Sequence, residues 1–199
     1  MYDLKDERWV KNVQKLNGAG KKVVLTFDDG PSRQLPEILA ILKEKNVVAH
    51  FFWLSKLLYP ERPWIKVLEE GHKIGSHTKN HKNLIRLTYE KQYRQIKNSV
   101  KKIEAITGVK VRYFRPPFGQ YNENTLDILA KLEVIPVMWE ISSYDWEHKA
   151  SPERIVDNVV SYARDGSIIL LHETKQTVIA LPKIIDGLRR RGFEFSLIE

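Results

Sequence analysis

Val23-Val24-Leu25-Thr26-Phe27-Asp28-Asp29-Gly30-Pro31 decides how the chain is read. A run of apolar and β-branched residues without polar alternation is a strand covered on both faces, as in a parallel sheet packed under helices. It ends on two adjacent carboxylates, and Gly30-Pro31 then turns the chain. Residues at the C-terminal ends of parallel strands are where barrel folds keep their chemistry.

Outward from this strand the same unit recurs. Strands are predicted over Val23–Phe27, Ala49–Trp53, Lys73–Ser76, Val111–Phe114, Ile135–Trp139, Ser167–Leu171 and Phe193–Leu197. Helices are predicted over Gln34–Lys45, Pro63–Glu70, Tyr89–Thr107, Asn124–Leu132, Pro152–Ala163 and Leu181–Arg191. The third helix carries Tyr93, Ile96, Val100, Ile103 and Ile106 on one face, with Thr88 as N-cap and Gly108 beyond its end. Alternating strands and helices imply an α/β fold with a parallel sheet. At 199 residues the chain is shorter than a full eight-fold barrel. The expectation is a distorted or incomplete (β/α) barrel of about seven parallel strands, with an open doubly wound sheet as the alternative. One domain is expected over residues 1–199, residues 1–20 being an N-terminal extension.

Composition narrows the chemistry. There is no cysteine, which excludes disulfides, thiolate metal sites and a cysteine nucleophile. Any metal must therefore sit on His, Asp or Glu, the donor set of open catalytic sites. The net charge of +8 is read first as a solvated basic surface, with attraction to an anionic partner such as nucleic acid or a bacterial wall as the alternative. No nucleic-acid motif is present, and Arg189-Arg190-Arg191 is read as the basic end of a helix. The longest apolar runs are strand-sized, so no membrane span is expected. Residues 1–20 are polar and charged, unlike a signal peptide. The expected location is extracellular or at the cell wall if a leader or anchor has been removed, and otherwise the cytoplasm. A monomer is expected.

The next polar cluster is His77-Thr78-Lys79-Asn80-His81. If the two histidines open a helical turn, their spacing of four puts them on one face. Two histidines and one carboxylate hold an ion and leave positions free for water and substrate. Asp28-Asp29 is the source of the carboxylate. Neighbours on an ideal strand point to opposite faces, so both aspartates reach one site only if the backbone turns between them. Taken singly, Asp-Asp-Gly is a turn and His-x-x-x-His a helix surface pair. Their joint placement at strand ends favours a site.

With these segments in view, the chain resembles the polysaccharide deacetylase family, also called the NodB-homology domain or carbohydrate esterase family four. The resemblance runs from about Lys22 to Leu197 in five segments in the family's order. They are Thr26-Phe27-Asp28-Asp29-Gly30-Pro31, Gly71 to His81, Arg115-Pro116-Pro117-Phe118-Gly119, Ser143-Tyr144-Asp145-Trp146, and Ile168-Ile169-Leu170-Leu171-His172.

The resemblance implies a metal-dependent hydrolase that removes N-acetyl groups from an N-acetylglucosamine polymer, peptidoglycan or chitin oligosaccharide, and releases acetate. An O-acetylxylan esterase is the alternative, and a glycosidase ranks lower because it leaves the histidines and Arg115 unexplained. The resemblance assigns Asp29, His77 and His81 to a divalent metal, zinc first, with cobalt, nickel or manganese as alternatives. It implies Asp28 as general base tethered by Arg115, and His172 as general acid held by Asp145. Trp146 and Leu170 would line the acetyl pocket, and the Phe118 N–H would meet the oxyanion. Tyr121 is added as a sugar-stacking ring because it lies in a predicted loop on the same side. His50, His72 and His148 are read as structural, and Trp53, Trp64 and Trp139 as core. Where the family often has His-Asp, this chain has His172-Glu173, which is read as a peripheral change.

Overall fold

The computed structural model describes residues 5–13 and 20–198. The expectation of a polar extension over 1–20 thus falls partly outside the described residues. Strands β1 (Lys21–Gly30), β2 (Ala49–Trp53), β3 (Lys73–Ser76), β4 (Tyr113–Phe114), β5 (Ile135–Pro136), β6 (Ile141–Ser142), β7 (Ser167–His172) and β8 (Phe193–Phe195) alternate with helices. The helices are α1 (Leu35–Glu44), α2 (Trp64–Glu69), α3 (Tyr89–Thr107), α4 (Glu123–Lys131), α5 (Pro152–Val160) and α6 (Lys175–Arg190). The strands pair in parallel in the order β5-β4-β3-β2-β1-β7-β6, and β8 joins the first residues of β1. The result is the incomplete barrel expected from the sequence.

Beyond shifts of two or three residues at several ends, two elements differ more from the reading, each for a local reason. The predicted strand Ile135–Trp139 is a strand only at Ile135–Pro136, and β6 begins beyond it at Ile141, because the chain crosses there from one end of the strand order to the other. Val137 donates its N–H to Phe114 O and Glu140 donates to Ile168 O. Pro136, which has no N–H, sits on the edge strand where none is needed. Helix α6 begins at Lys175, six residues before the predicted start at Leu181, and keeps Pro182 inside it. Thr174 caps it by accepting from Thr177 N, and the buried face of Leu181, Ile184, Ile185 and Leu188 outweighs the lost proline hydrogen bond.

Strand alternation sorts the side chains. Val23, Leu25 and Phe27 of β1, Phe51 and Trp53 of β2, and Ile169 and Leu171 of β7 face outward. There they pack against Ile38, Leu42, Ile96, Ile103, Ile184 and Leu188 of the helices. The intervening residues face into the curl, where Val24, Phe52, Tyr113, Val137, Ile168 and Ile198 form a second cluster. Two residues further along the same files come Thr26, Leu170 and Arg115, and then Asp28 and His172. The inner floor is thus apolar and its rim is chemical.

Residues 5–13 cross the open side of the barrel. Val10 donates its N–H to Pro136 O and accepts from Met138 N, and Val13 N donates to Gly166 O. Trp9 is buried, and Val10 and Val13 pack on the inner cluster.

His50 lies on the barrel floor as the structural residue expected, fully buried, its Nε2 accepting the Ile198 N–H at 2.9 Å. Burial, reinforced by the charge of Arg115, lowers its pKa to about 3. In the unfolded chain it titrates near 6.5. The depressed folded value means that its contribution is fully present above pH 6.5 and is lost as pH falls from there through about 3. Thermal stability is expected to decline over this window by at most about 1.4 kcal/mol per pH unit for this residue. His50→Gln, which keeps an acceptor for Ile198, should flatten the decline. Parallel melting-temperature curves for the two proteins between pH 7 and pH 4 would refute this.

Candidate active site

At the C-terminal ends of the strands a cavity of about 480 Å³ opens between the loops. Asp28, Asp29, His77, His81, Phe118, Trp146, Leu170 and His172 line it, brought together from five separate stretches of chain. Arg115 and Asp145 lie fully buried behind this lining.

Two adjacent aspartates reach the same cavity because the strand breaks its register between Asp28 and Gly30. Asp29 takes a left-handed φ of 67°, which swings its carboxylate back to the side that Asp28 already faces. Gly30 is required for a different reason than turn geometry. A Cβ there would come within 1.8 Å of a Glu173 carboxylate oxygen, so only glycine leaves room for that side chain.

Asp29, His77 and His81 are, among the described residues, the one group whose donor atoms all approach within 4.8 Å of one another. Asp29 Oδ1 lies 3.6 Å from His77 Nε2 and 3.4 Å from His81 Nε2, buried and without a hydrogen-bond partner. The histidines are not on a helical turn, which corrects the expectation drawn from their spacing. They sit in a loop in which Thr78 and His81 both have positive φ, 71° and 56°, and this bends the chain enough to bring the rings to 5.1 Å. His77 Nδ1 is 2.7 Å from the Arg115 carbonyl oxygen, which can only accept, so Nδ1 carries the proton. The Nε2 lone pair therefore faces Asp29. Burial, partly offset by the charge of Asp29, lowers the His77 pKa to about 3 and keeps the ring neutral. An orphaned carboxylate oxygen facing two imidazole nitrogens, one with a fixed tautomer, fits a divalent cation.

Asp28 is buried beside this group, 3.9 Å from His77 Nε2. Arg115 Nη1 donates to Asp28 Oδ1 at 2.8 Å and to Thr26 Oγ1 at 2.8 Å, and Nη2 donates to Met138 O at 2.8 Å. Phe52 lies under the guanidinium with its ring centroid 4.3 Å away. Burial pushes the Asp28 carboxyl above its usual range, while the charge of Arg115 and then that of His172 pull it back. Thr26 was not singled out from the sequence. It passes the Arg115 contact on to Ile169 O at 2.7 Å, and only its place in the inward file of β1 could have marked it.

His172 Nδ1 meets Asp145 Oδ1 at 2.7 Å. Asp145 is fully buried, and its Oδ2 also accepts from the His172 N–H and the Thr177 hydroxyl, both at 2.6 Å. Burial alone would lower the His172 pKa. The hydrogen bond to Asp145 and the charges of Asp145, Asp28 and Asp29 outweigh it and raise the value to about 9. His172 Nε2 points into the cavity, 4.0 Å from Asp29 Oδ2. The Trp146 ring stands edge-on to His172 at 5.2 Å and is 40% exposed, and Leu170 lies beneath on the same strand face. Phe118, with φ 61°, projects outward and meets the His81 ring at 4.6 Å.

Three readings need correction. Tyr121 is not among the residues lining the cavity. Its hydroxyl donates to Asp6 at 2.6 Å and its ring packs on Trp9 at 4.4 Å, so the structure places it against the N-terminal segment. Trp139 packs against both core clusters as read, but it is only partly buried and also forms part of the cavity wall, near the Arg115 guanidinium. Glu173 is not peripheral. It is buried, lines the cavity, and accepts from Trp53 Nε1 at 2.8 Å and from Ser32 N at 2.6 Å. Burial raises its pKa to about 7.

Fold and site together make this an α/β half-barrel with a candidate single-ion centre at its strand ends. The sequence pattern of the polysaccharide deacetylase family matches residues 15–137, and the chain belongs to that family. It is 35% identical to the peptidoglycan-N-acetylglucosamine deacetylase of Bacillus cereus, over 87% of this chain and 66% of that one. It is 34% identical to the chitooligosaccharide deacetylase of Azorhizobium caulinodans, over 86% and 90% of the two chains. The solved structure of the peptidoglycan deacetylase PdaC from Bacillus subtilis superposes with a TM-score of 0.82 at 32% identity, covering 90% of this chain and 89% of that one. The chain thus spans 66% of the length of the Bacillus cereus relative. No helix among the described residues is long and apolar enough to cross a membrane.

Proposed function

We propose that this protein is a metal-dependent N-deacetylase that releases acetate from an N-acetylglucosamine-type glycan, peptidoglycan or a chitin oligosaccharide. The observation that carries the reading is the separation of labour at the site. Asp29 faces the two histidines, Asp28 stays on Arg115, and His172 closes the other side on Asp145. Relatives named as peptidoglycan and chitooligosaccharide deacetylases support the glycan class. In this reading one domain spans residues 1–199, and the peptidoglycan in the name of the Bacillus cereus relative supports a place at the cell wall.

Asp29, His77 and His81 would hold the ion, zinc first. When bound, such an ion lowers the pKa of water and polarises an acyl oxygen. The remaining steps belong to the chain. The Asp28 carboxylate, kept ionised by Arg115 and made more basic by burial, takes the proton from the attacking water. The Phe118 N–H supports the oxygen that becomes negative. His172, held as imidazolium by Asp145, passes its Nε2 proton to the departing amine. Leu170 and Trp146 enclose the acetyl methyl and exclude water from it.

Acetate release from a chitin pentamer and from purified peptidoglycan tests the reading. Release should cease on treatment with a chelator and return on adding zinc. Turnover indifferent to chelation, or new reducing ends without acetate, would reject it in favour of a carboxylate-pair glycosidase.

A further inference from the structure

Beside the metal loop lies a second cavity, about 420 Å³, that the chemistry above does not use. Lys79 and Lys82 line it from the loop on either side of His81. Lys91, Arg94, Gln95 and Asn98 line it from α3. On the helix these four positions are i, i+3, i+4 and i+7, which is one continuous face. The two walls are tied together, since Gln95 accepts the Lys79 N–H through its carbonyl at 3.1 Å and the Asn80 N–H through its side chain at 3.1 Å.

The charge of this groove is one-sided. Its lining holds four cations and no carboxylate. All four cationic residues are exposed, and none forms an ion pair within 4.0 Å among the described residues. The nearest acid along the helix, Glu90, faces Arg94 but does not line the groove. Four cations without a close ion-pair partner line one concavity, with only Glu90 acting on Arg94 from outside it, and an anion placed between them relieves their mutual repulsion. A neutral sugar could hydrogen-bond to these side chains but would not relieve the charge.

We propose that this groove binds anionic substituents of the glycan, so that a polymer carrying carboxylates or phosphates is held beside the metal loop while its acetamido group enters the cavity. The proposal rests on the deacetylase reading and names the substrate class within it. It makes the protein an enzyme of charged wall glycan more than of chitin. Carboxylates of peptide stems and phosphates of attached wall polymers offer the same charge and differ only in origin.

The test uses Lys91→Gln/Arg94→Gln, on the helix side of the groove and outside the proposed machinery. Acetate release is measured on chitin pentamer, on soluble peptidoglycan strands, on the same strands stripped of stems by an amidase, and on strands freed of phosphate by hydrofluoric acid. On intact strands KM should rise about tenfold with kcat unchanged, the loss appropriate to two exposed charge contacts. Chitin kinetics should not move, which also reports an intact fold. Whichever stripping step removes the difference between variant and wild type identifies the anion. In the wild type, raising salt should raise KM for intact strands and leave KM for chitin unchanged. Equal KM values for variant and wild type on intact strands, or an equal salt response for both substrates, would overturn the groove. No acetate from any substrate with the wild type would instead overturn the deacetylase reading.

Discussion

Asp28→Asn is expected to reduce acetate release by about 10²- to 10⁴-fold, the range for loss of a positioned general base, with zinc affinity nearly unchanged. The substitution is close to isosteric. The asparagine carbonyl still accepts from Arg115 Nη1, and Arg115 keeps Thr26 and Met138 O as partners. What disappears is the capacity to accept a proton. Asp29, His77 and His81 remain in place because the left-handed turn at Asp29 and the loop around Thr78 position them independently. Acetate release and zinc titration on the same preparation separate the two roles. Turnover within tenfold of wild type would remove Asp28 as the base. Loss of zinc binding together with activity would make it a ligand.

Arg115→Met should have the largest effect on the fold. Arg115 is fully buried and forms hydrogen bonds to Asp28, Thr26 and the Met138 carbonyl. Methionine fills part of the volume but leaves Asp28 buried without its hydrogen-bonded counter-charge, with chiefly the more distant His172 left to oppose it. Breaking a buried pair on one side costs about 3–5 kcal/mol. The chain can limit that cost only by protonating Asp28, since burial already pushes that carboxyl upward and the opposing charge of Arg115 is gone. The acid limb of the rate–pH profile should therefore move to higher pH. Urea denaturation reads the first effect and the pH profile of residual activity the second. Asp28→Asn/Arg115→Met should recover part of the stability, because neither charge is then left alone. A loss below about 1 kcal/mol for the single variant, which is the scale of an exposed pair, would show the bridge to be dispensable.

How far the sequence could be read depended on the distance over which a residue acts. The β1 run and its acidic end were legible because apolar continuity and the following Gly-Pro are local signals. The same holds for α3, whose buried face and terminal Gly108 with φ 71° are matters of spacing and backbone freedom. The strand-end placement of Asp28, His77, Arg115, Asp145 and His172 followed from the β/α alternation. Glu173 was misread because it acts on Trp53 and Ser32, positions 120 and 141 residues away in sequence. Nothing near Glu173 in the chain announces them. Tyr121 was misread for the complementary reason. It occupies a loop, but its Asp6 and Trp9 partners come from a segment with no strand or helix pattern. The histidine pair shows a third case. The spacing of four suggested a helix, whereas two left-handed residues produce the convergence.

Residues 5–13 also bear on where the unit can be cut. A boundary drawn from the strand pattern would fall just before Lys21, where β1 begins. That cut would discard Trp9, which is 3% exposed, and uncover Val137 and the edges at Pro136 and Gly166 that Val10 and Val13 occupy. Anyone grafting this half-barrel onto another protein should treat the stretch from Lys5 as part of the module and place the joint upstream of it.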